Sequence, residues 1–246
     1  MESYNAFAPF YDRFQRGIDY RARARLFDRL IRGQGVTPGL LLDLACGTGS
    51  LSVELSRLGY DVIGADASAD MLAVAQQKAM EQEQRILFLC QRMEELDLYG
   101  TITACVCSLD SLNHLTEEKA FAKAIGRVSL FLEPDGVFVF DLNTPYKHRV
   151  LLADRAYVYE DDGALCVWQN ETKNGLTQIT LDFFERQKSG LWRRSGETFA
   201  ERAYDLGTVD RICEENGLRI VSVTAGDGET PPDDTTDRWL IAAKKV

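Results

Sequence analysis

The segment that most constrains the fold is Leu41-Leu42-Asp43-Leu44-Ala45-Cys46-Gly47-Thr48-Gly49-Ser50. Residues 39–45 form a nearly unbroken apolar run, as expected of a strand buried on both faces. Two glycines then turn the chain into 50–58, whose helical spacing stops at Gly59. Glycines at such a turn let the backbone approach a ligand closely, and the helix start offers unpaired amide donors. Gly-x-Gly alone is weak evidence. A dinucleotide fingerprint needs Gly-x-Gly-x-x-Gly, and here the third position is Ser52. Asp43, ahead of the glycines, is also foreign to that fingerprint, so a nicotinamide-dependent oxidoreductase fits poorly.

The surrounding pattern alternates short apolar strands with amphipathic helices. Strands are expected at 61–65, 85–90, 102–107 and 136–141. Ser68 caps a helix with Asp70 in its first turn and Met71, Leu72, Ala75 and Ala79 on its inner face. Thr116 is expected to cap another, with Glu117 and Glu118 favourable to its dipole. Such alternation implies parallel pairing with right-handed crossovers, hence a doubly wound α/β sheet. After Pro145 the texture changes: 156–204 shows short alternating stretches that read as an antiparallel β insertion. Helix returns at 206–215, closed by Asn216-Gly217, and strands at 218–224 and 238–244 end the pattern. The chain, 1–246, reads as a single domain with an N-terminal helical cap over 1–35 and the insertion over 156–204.

Asp66 ends the second strand downstream of the glycine turn. There a carboxylate can accept both hydroxyls of a ribose. It can equally be an acid at a helix N-terminus, since Ser68 follows.

Composition narrows the partners. The net charge of -10, from 28 basic and 38 acidic side chains, disfavours polyanions, and no basic run offsets it. The opening residues lack a cationic region followed by an apolar core, and no apolar stretch reaches the ~20 residues of a membrane span. The 6 cysteines include no Cys-x-x-Cys pair and mostly fall in apolar segments, which suits buried free thiols in a reducing cytoplasm. With only His114 and His148 as histidines, no zinc site is expected.

Asp-x-Ala-Cys-Gly-Thr-Gly resembles the first motif of the class I S-adenosylmethionine-dependent methyltransferases. Tyr4, Phe7-Ala8 and Tyr11-Asp12 resemble the opening of a bacterial branch similar to glycine and amino-sugar N-methyltransferases. Residues 108–115 and 138–146 resemble that branch after its fourth strand and at its fifth. The resemblance implies a Rossmann-like, mostly parallel seven-stranded sheet, S-adenosylmethionine as cofactor, and a small-molecule acceptor.

It also implies roles. Gly47 and Gly49, beside Ala45, would let the loop pass the methionyl part of the cofactor, and Asp43 would orient that loop, its water or the cofactor amine. Asp66 would bind the ribose, with Met71 in the helix behind it. The amides of Ala67 and Met93 would lie at the adenine, and Ser108 under the methionyl moiety. Tyr4, Tyr11 and Tyr20 would close the pocket. One position departs from the pattern: relatives often carry an acid just before the Met93 position, where this chain has Arg92 preceded by Gln91. Arginine cannot accept a hydrogen bond, which leaves Gln91, a main-chain carbonyl or nothing to select adenine.

Methyl transfer needs no obligatory acid or base. An amine acceptor must nevertheless be neutral at attack, and His114 is the candidate base. The alternative is a histidine that only bonds backbone. Tyr157, Tyr159, Trp168, Phe183, Trp192 and Phe199 crowd the insertion, either to give thin strands enough buried area or to form a lid or dimer surface. The expected partners are a small molecule, no nucleic acid and no membrane, with a monomeric or homodimeric chain. An RNA methyltransferase and a catalytically silent cofactor-binding or assembly protein are the alternatives.

Overall fold

The computed structural model describes residues 17–161 and 163–246. Its elements are α1 (Tyr20–Gly33), β1 (Leu40–Leu44), α2 (Ser50–Arg57), β2 (Asp61–Asp66), α3 (Ala69–Glu81), β3 (Leu87–Cys90), β4 (Ile102–Cys107), α4 (Glu118–Phe131) and β5 (Leu132–Asn143). They continue as β6 (Ala156–Asp161), β7 (Ala164–Lys173), β8 (Leu176–Arg186), β9 (Trp192–Arg202), α5 (Leu206–Glu215), β10 (Leu218–Ala225) and β11 (Arg238–Lys245). Within the expected N-terminal cap, α1 is described, whereas Tyr4, Phe7, Ala8, Tyr11 and Asp12 lie outside the described residues.

Seven strands form one sheet in the order β10-β11-β5-β4-β1-β2-β3. β1 to β5 pair in parallel, and β11 runs antiparallel to both of its neighbours. Successive side chains of a strand point to opposite faces, and here both faces are covered. Leu41, Val106 and Val139 pack with Phe27 and Ile31 of α1 and Leu55 of α2. Leu42, Cys105 and Phe138 pack on the other face with Phe121 and Ile125 of α4 and Ile212 of α5. That is why these strands read as continuous apolar runs. Among the described residues no helix is long and apolar enough to cross a membrane.

The remaining strands form a four-stranded antiparallel sheet, β6-β7-β8-β9. Asn174 and Gly175, at φ 53° and 75°, turn β7 into β8, the left-handed pair that suits a tight hairpin. Register places Trp168 opposite Leu181, and Ile179 opposite Phe199. Trp168 and Phe199 pack on a small cluster of Cys166, Ile179, Leu181 and Phe183. Much of the aromatic content therefore serves this sheet's own packing.

Several boundaries differ from the sequence pattern for local reasons. β1 stops at Leu44 because Ala45 turns left-handed, at φ 57°. β5 starts early because Leu132 pairs with Ile102 before a register shift. Thr116 is not a helix cap. α4 begins at Glu118 with Glu117 as its N-cap, because the backbone just before it is used in docking: the carbonyls of Leu115 and Thr116 accept from the Tyr204 hydroxyl and the Arg202 guanidinium. Cys90 is exposed at the end of edge strand β3, whereas Cys105, Cys107, Cys166 and Cys213 are buried free thiols.

At the carboxyl end of β5, the fully buried Asp141 gathers four segments. Its carboxylate accepts from Leu109 N at 2.9 Å and Asp110 N at 2.6 Å, bracing the turn after β4. Arg238 of β11 donates to it at 2.6 Å, and Arg23 of α1 donates to its other oxygen. Arg238 also reaches Asp110 at 2.6 Å. Burial raises the Asp110 carboxyl, but Arg238 together with Lys147 and His114 outweighs it and brings the group down to about 2. Removing Asp141 would take the shared carboxylate from two partly buried guanidinium groups, leaving Arg238 with Asp110 and Arg23 with Ser108, and breaking such a network costs about 3–5 kcal/mol. Asp141→Ala should therefore lose about that much stability in urea denaturation, and a loss below about 1 kcal/mol would show that the latch is dispensable.

Candidate active site

The strand order reverses between β1 and β4, and a crevice opens outside the carboxyl ends of strands at such a switch point. Two turns form it here. After β1, Ala45, Gly47 and Gly49 all take positive φ (57°, 54° and 71°), and Cys46 N donates to Ala65 O at 3.0 Å, tying the loop to β2. The two glycines serve different needs. A Cβ on Gly49 would sit 2.8 Å from the Ala75 Cβ, so this glycine lets α3 pack beneath the loop. A Cβ on Gly47 would meet no atom of the described residues within 4 Å, so this glycine is not required by packing among them. Gly49 is also the N-cap of α2, with no side-chain cap bond, so the first helix amides face the crevice region.

Two acids support the loop. Asp43 is buried and accepts from the Ser52 hydroxyl at 2.5 Å. Ser52 is thus the reason that the third glycine is absent. Burial pushes the Asp43 carboxyl up to about 7, against the lowering effect of Ser52. Asp66 accepts from Gly47 N at 2.8 Å through one oxygen and from Ser68 N at 2.9 Å through the other. It is therefore the acid at the start of α3 and a brace for the glycine turn as well. Each oxygen keeps a second lone pair. Burial raises this carboxyl too, while the amides hold it down.

The crevice is lined by Tyr20, Asp43, Ala45, Cys46, Gly47, Thr48, Ser50 and Leu51 on one side and Ser108, Leu109 and Ser111 on the other. Beyond Asp66 a second depression is lined by Ala67, Cys90, Gln91, Arg92 and Glu95. Most residues expected at a cofactor therefore line these two hollows. Gly49, Asp66, Met71 and Met93 line neither, and Met71 is buried at 2% exposure within α3. Met93 opens a 3-10 turn, Met93–Glu95, whose first amides lack partners inside the turn. Both ends of the Gln91 amide are bound to the backbone of Asp97, at 3.1 Å and 2.9 Å, which fixes its orientation and leaves one N–H and one lone pair. Arg92 is held by Glu94 at 2.7 Å. Glu95, unremarked in the sequence pattern, also lines that hollow.

The turn after β4 links the crevice to the antiparallel sheet. Its 3-10 segment Ser111–His114 carries Ser111 at the crevice and His114 against β9, the His114 ring centroid lying 5.0 Å from that of Phe199. Asn113 is fully buried. It donates to Asn143 O at 3.2 Å and Arg202 O at 2.8 Å, and accepts from Asn143 N at 2.9 Å. Glu201 of β9 is buried beside it and accepts from the Asn143 side chain at 3.3 Å. His114 Nε2 lies 3.9 Å from one Glu201 oxygen, and His148 Nε2 lies 3.6 Å from the other. Burial lowers both imidazoles, His148 to about 4, and pushes the Glu201 carboxyl up to about 8. Sequence reasoning missed Glu201 and His148. The available signal was a carboxylate at the same alternating face of β9 as Phe199.

Known proteins resemble this chain in sequence and fold. Residues 41–136 match the family described as a methyltransferase domain. Over 246 residues the chain is 29% identical to a Geobacillus sp. (strain WCH70) protein that carries a methyltransferase name, across 99% of this chain and 100% of the relative. It is 29% identical to a glycine/sarcosine N-methyltransferase of Halorhodospira halochloris, across 96% of this chain and 87% of the relative. Its fold superposes on an S-adenosylmethionine-dependent methyltransferase from Clostridium acetobutylicum ATCC 824 with a TM-score of 0.90 at 27% identity, across 98% of each chain. The glycine turn, the sheet order and these relatives agree: residues 41–136 carry a methyltransferase domain, and over its length the chain is similar in sequence and fold to S-adenosylmethionine-dependent methyltransferases.

Proposed function

We propose that the protein methylates a small-molecule amine held between the crevice and the antiparallel insertion. The observation that carries this reading is the Ser111–His114 turn, which presents one side chain to the cofactor crevice and another to β9. S-adenosylmethionine, when bound, supplies a methyl carbon already activated by a sulfonium. The residues suit it: the glycine turn at Gly47, the Asp66 carboxylate beside it and the start of α2, which has no side-chain cap bond among the described residues, together match a cation-bearing nucleoside.

In this reading Asp43, Ala45, Gly47, Gly49, Ser108 and Tyr20 surround the methionyl end. Asp66 accepts from the ribose hydroxyls, and Ala67 and Met93 lie at the adenine. With Gln91 bound to Asp97 and Arg92 held by Glu94, Glu95 takes the adenine amino group. Orientation and exclusion of water then supply much of the rate. The name of the Halorhodospira halochloris relative, a glycine/sarcosine N-methyltransferase, supports an amine acceptor. The net charge of -10 favours a small molecule over a nucleic acid.

Turnover of S-adenosylmethionine with glycine, sarcosine, glucosamine, catechol and bulk tRNA tests the acceptor class. An amine should react, whereas methylation of tRNA alone would refute the proposal. Asp66→Ala should weaken S-adenosylmethionine binding by about 1.5–3 kcal/mol in calorimetry, the scale of charged hydrogen bonds, and equal affinities would remove Asp66 from the site.

The Asp43 carboxyl, at about 7 in the free protein, is protonated at lower pH, and a bound cofactor ammonium favours its ionised form. Affinity for S-adenosylhomocysteine should therefore rise with pH and level off near that value, by up to about tenfold per unit for one released proton. Asp43→Asn should flatten the dependence. An unchanged slope in the variant would show that another group sets it.

A further inference from the structure

The buried carboxylate of Glu201 stands between two imidazoles at the seam of the two sheets. Its oxygens lie 3.9 Å from His114 Nε2 and 3.6 Å from His148 Nε2, and Asn143 donates to it at 3.3 Å. His148 is 1% exposed and bonded through Nδ1 to the Thr177 hydroxyl at 2.7 Å, and its Nε2 has no hydrogen-bond partner among the described residues. A fully enclosed carboxylate is costly, and hydrophobic side chains would pack the seam at less expense. Placing a carboxylate there makes sense if it gains and loses a proton. His114 alone of the three is open enough to meet a ligand, its side chain 20% exposed against 4% for Glu201.

We propose that Glu201 is a positioning residue that acts through His114 as the final acceptor of the proton removed from an amine substrate. This rests on the amine reading above. The ammonium N–H bond breaks and its proton passes to the second ring nitrogen of His114, Nδ1. The proton on Nε2 passes to the Glu201 carboxylate, which becomes neutral, and the amine lone pair is freed for attack. After turnover the proton returns to solvent by the same route. Gaps of 3.6–3.9 Å are longer than hydrogen bonds, and such contacts tighten in catalytic complexes. His148 Nε2 borders the other Glu201 oxygen at 3.6 Å.

The local charges set where this proton is held. Asp110 on the turn after β4 disfavours ionisation of Glu201, while Lys147 and Arg238 favour it. Burial dominates and places the group at about 8, suited to accepting a proton from an amine in mildly alkaline solution. The sign follows: Glu201 is the competent base only once ionised, so kcat should climb as pH rises through that value.

The test uses Glu201→Gln, Glu201→Asp and His114→Gln in the full chain, with whichever of glycine, sarcosine or glucosamine the wild type methylates. Glu201→Gln should lower kcat roughly 100-fold, the usual scale of a lost general base, and abolish the alkaline rise. KM for S-adenosylmethionine should stay within about twofold, and Glu201→Asp should restore part of the rise. A second readout needs no cofactor. The His114 ring resonances of the free protein should show an inflection near pH 8 that Glu201→Gln removes. If Glu201→Gln fails to fold, His114→Gln must lose the same alkaline limb. Amine turnover with an unchanged pH profile and a persistent inflection would overturn the role of Glu201 and leave the amine reading standing. Binding of S-adenosylmethionine with no amine methylated would overturn both.

Discussion

Asp141 lies at the end of the interior strand β5, with no exposed side-chain surface, and faces two guanidinium groups and two backbone amides. In water that carboxylate would be solvated at little cost, but here the protein itself must supply every partner. The partners come from α1, from the turn after β4 and from β11, segments far apart in the chain. Leu109 and Asp110 take left-handed backbone conformations at φ 60° and 55°, which non-glycine residues adopt only when surrounding structure holds them. The carboxylate does that holding. The position of Ser108, Ser111 and His114 therefore depends on a charge buried one strand away.

From that fixed turn the second sheet takes its place. Asn113 uses its amide in both directions, donating to the ends of β5 and β9 and accepting from Asn143. Arg202 and Tyr204 bond the carbonyls that precede α4. These are buried polar contacts, worth little net when made and costly when lost. They fix register and orientation more than they add stability. The result is a seam in which Glu201, His114 and His148 meet, each drawn from a different element.

On the other side of the crevice, economy of space does comparable work. Gly49 exists for the helix beneath it, whereas no packing among the described residues requires Gly47, although both read alike in the motif. Ser52, which breaks a dinucleotide fingerprint, is the partner that satisfies buried Asp43. Gln91 shows a second demand on a residue that looked available to a ligand: the backbone of its own loop holds both ends of its amide.

What the sequence determined by itself were the features with a short period or a short span. Alternation of apolar runs and helical stripes carried the doubly wound sheet, the antiparallel insertion and the helix 206–215, because burial on two faces writes itself directly into residue order. The Asp-x-Ala-Cys-Gly-Thr-Gly turn and Asp66 carried the cofactor family for the same reason: strand, turn and helix start are contiguous. Only the tertiary structure decided that Thr116 is no cap, that Gln91 is occupied, and that Glu201 and His148 join His114. Those outcomes depend on contacts between residues such as 114 and 201 that no local period encodes. They are settled by which polar groups are left without water when two sheets close on each other.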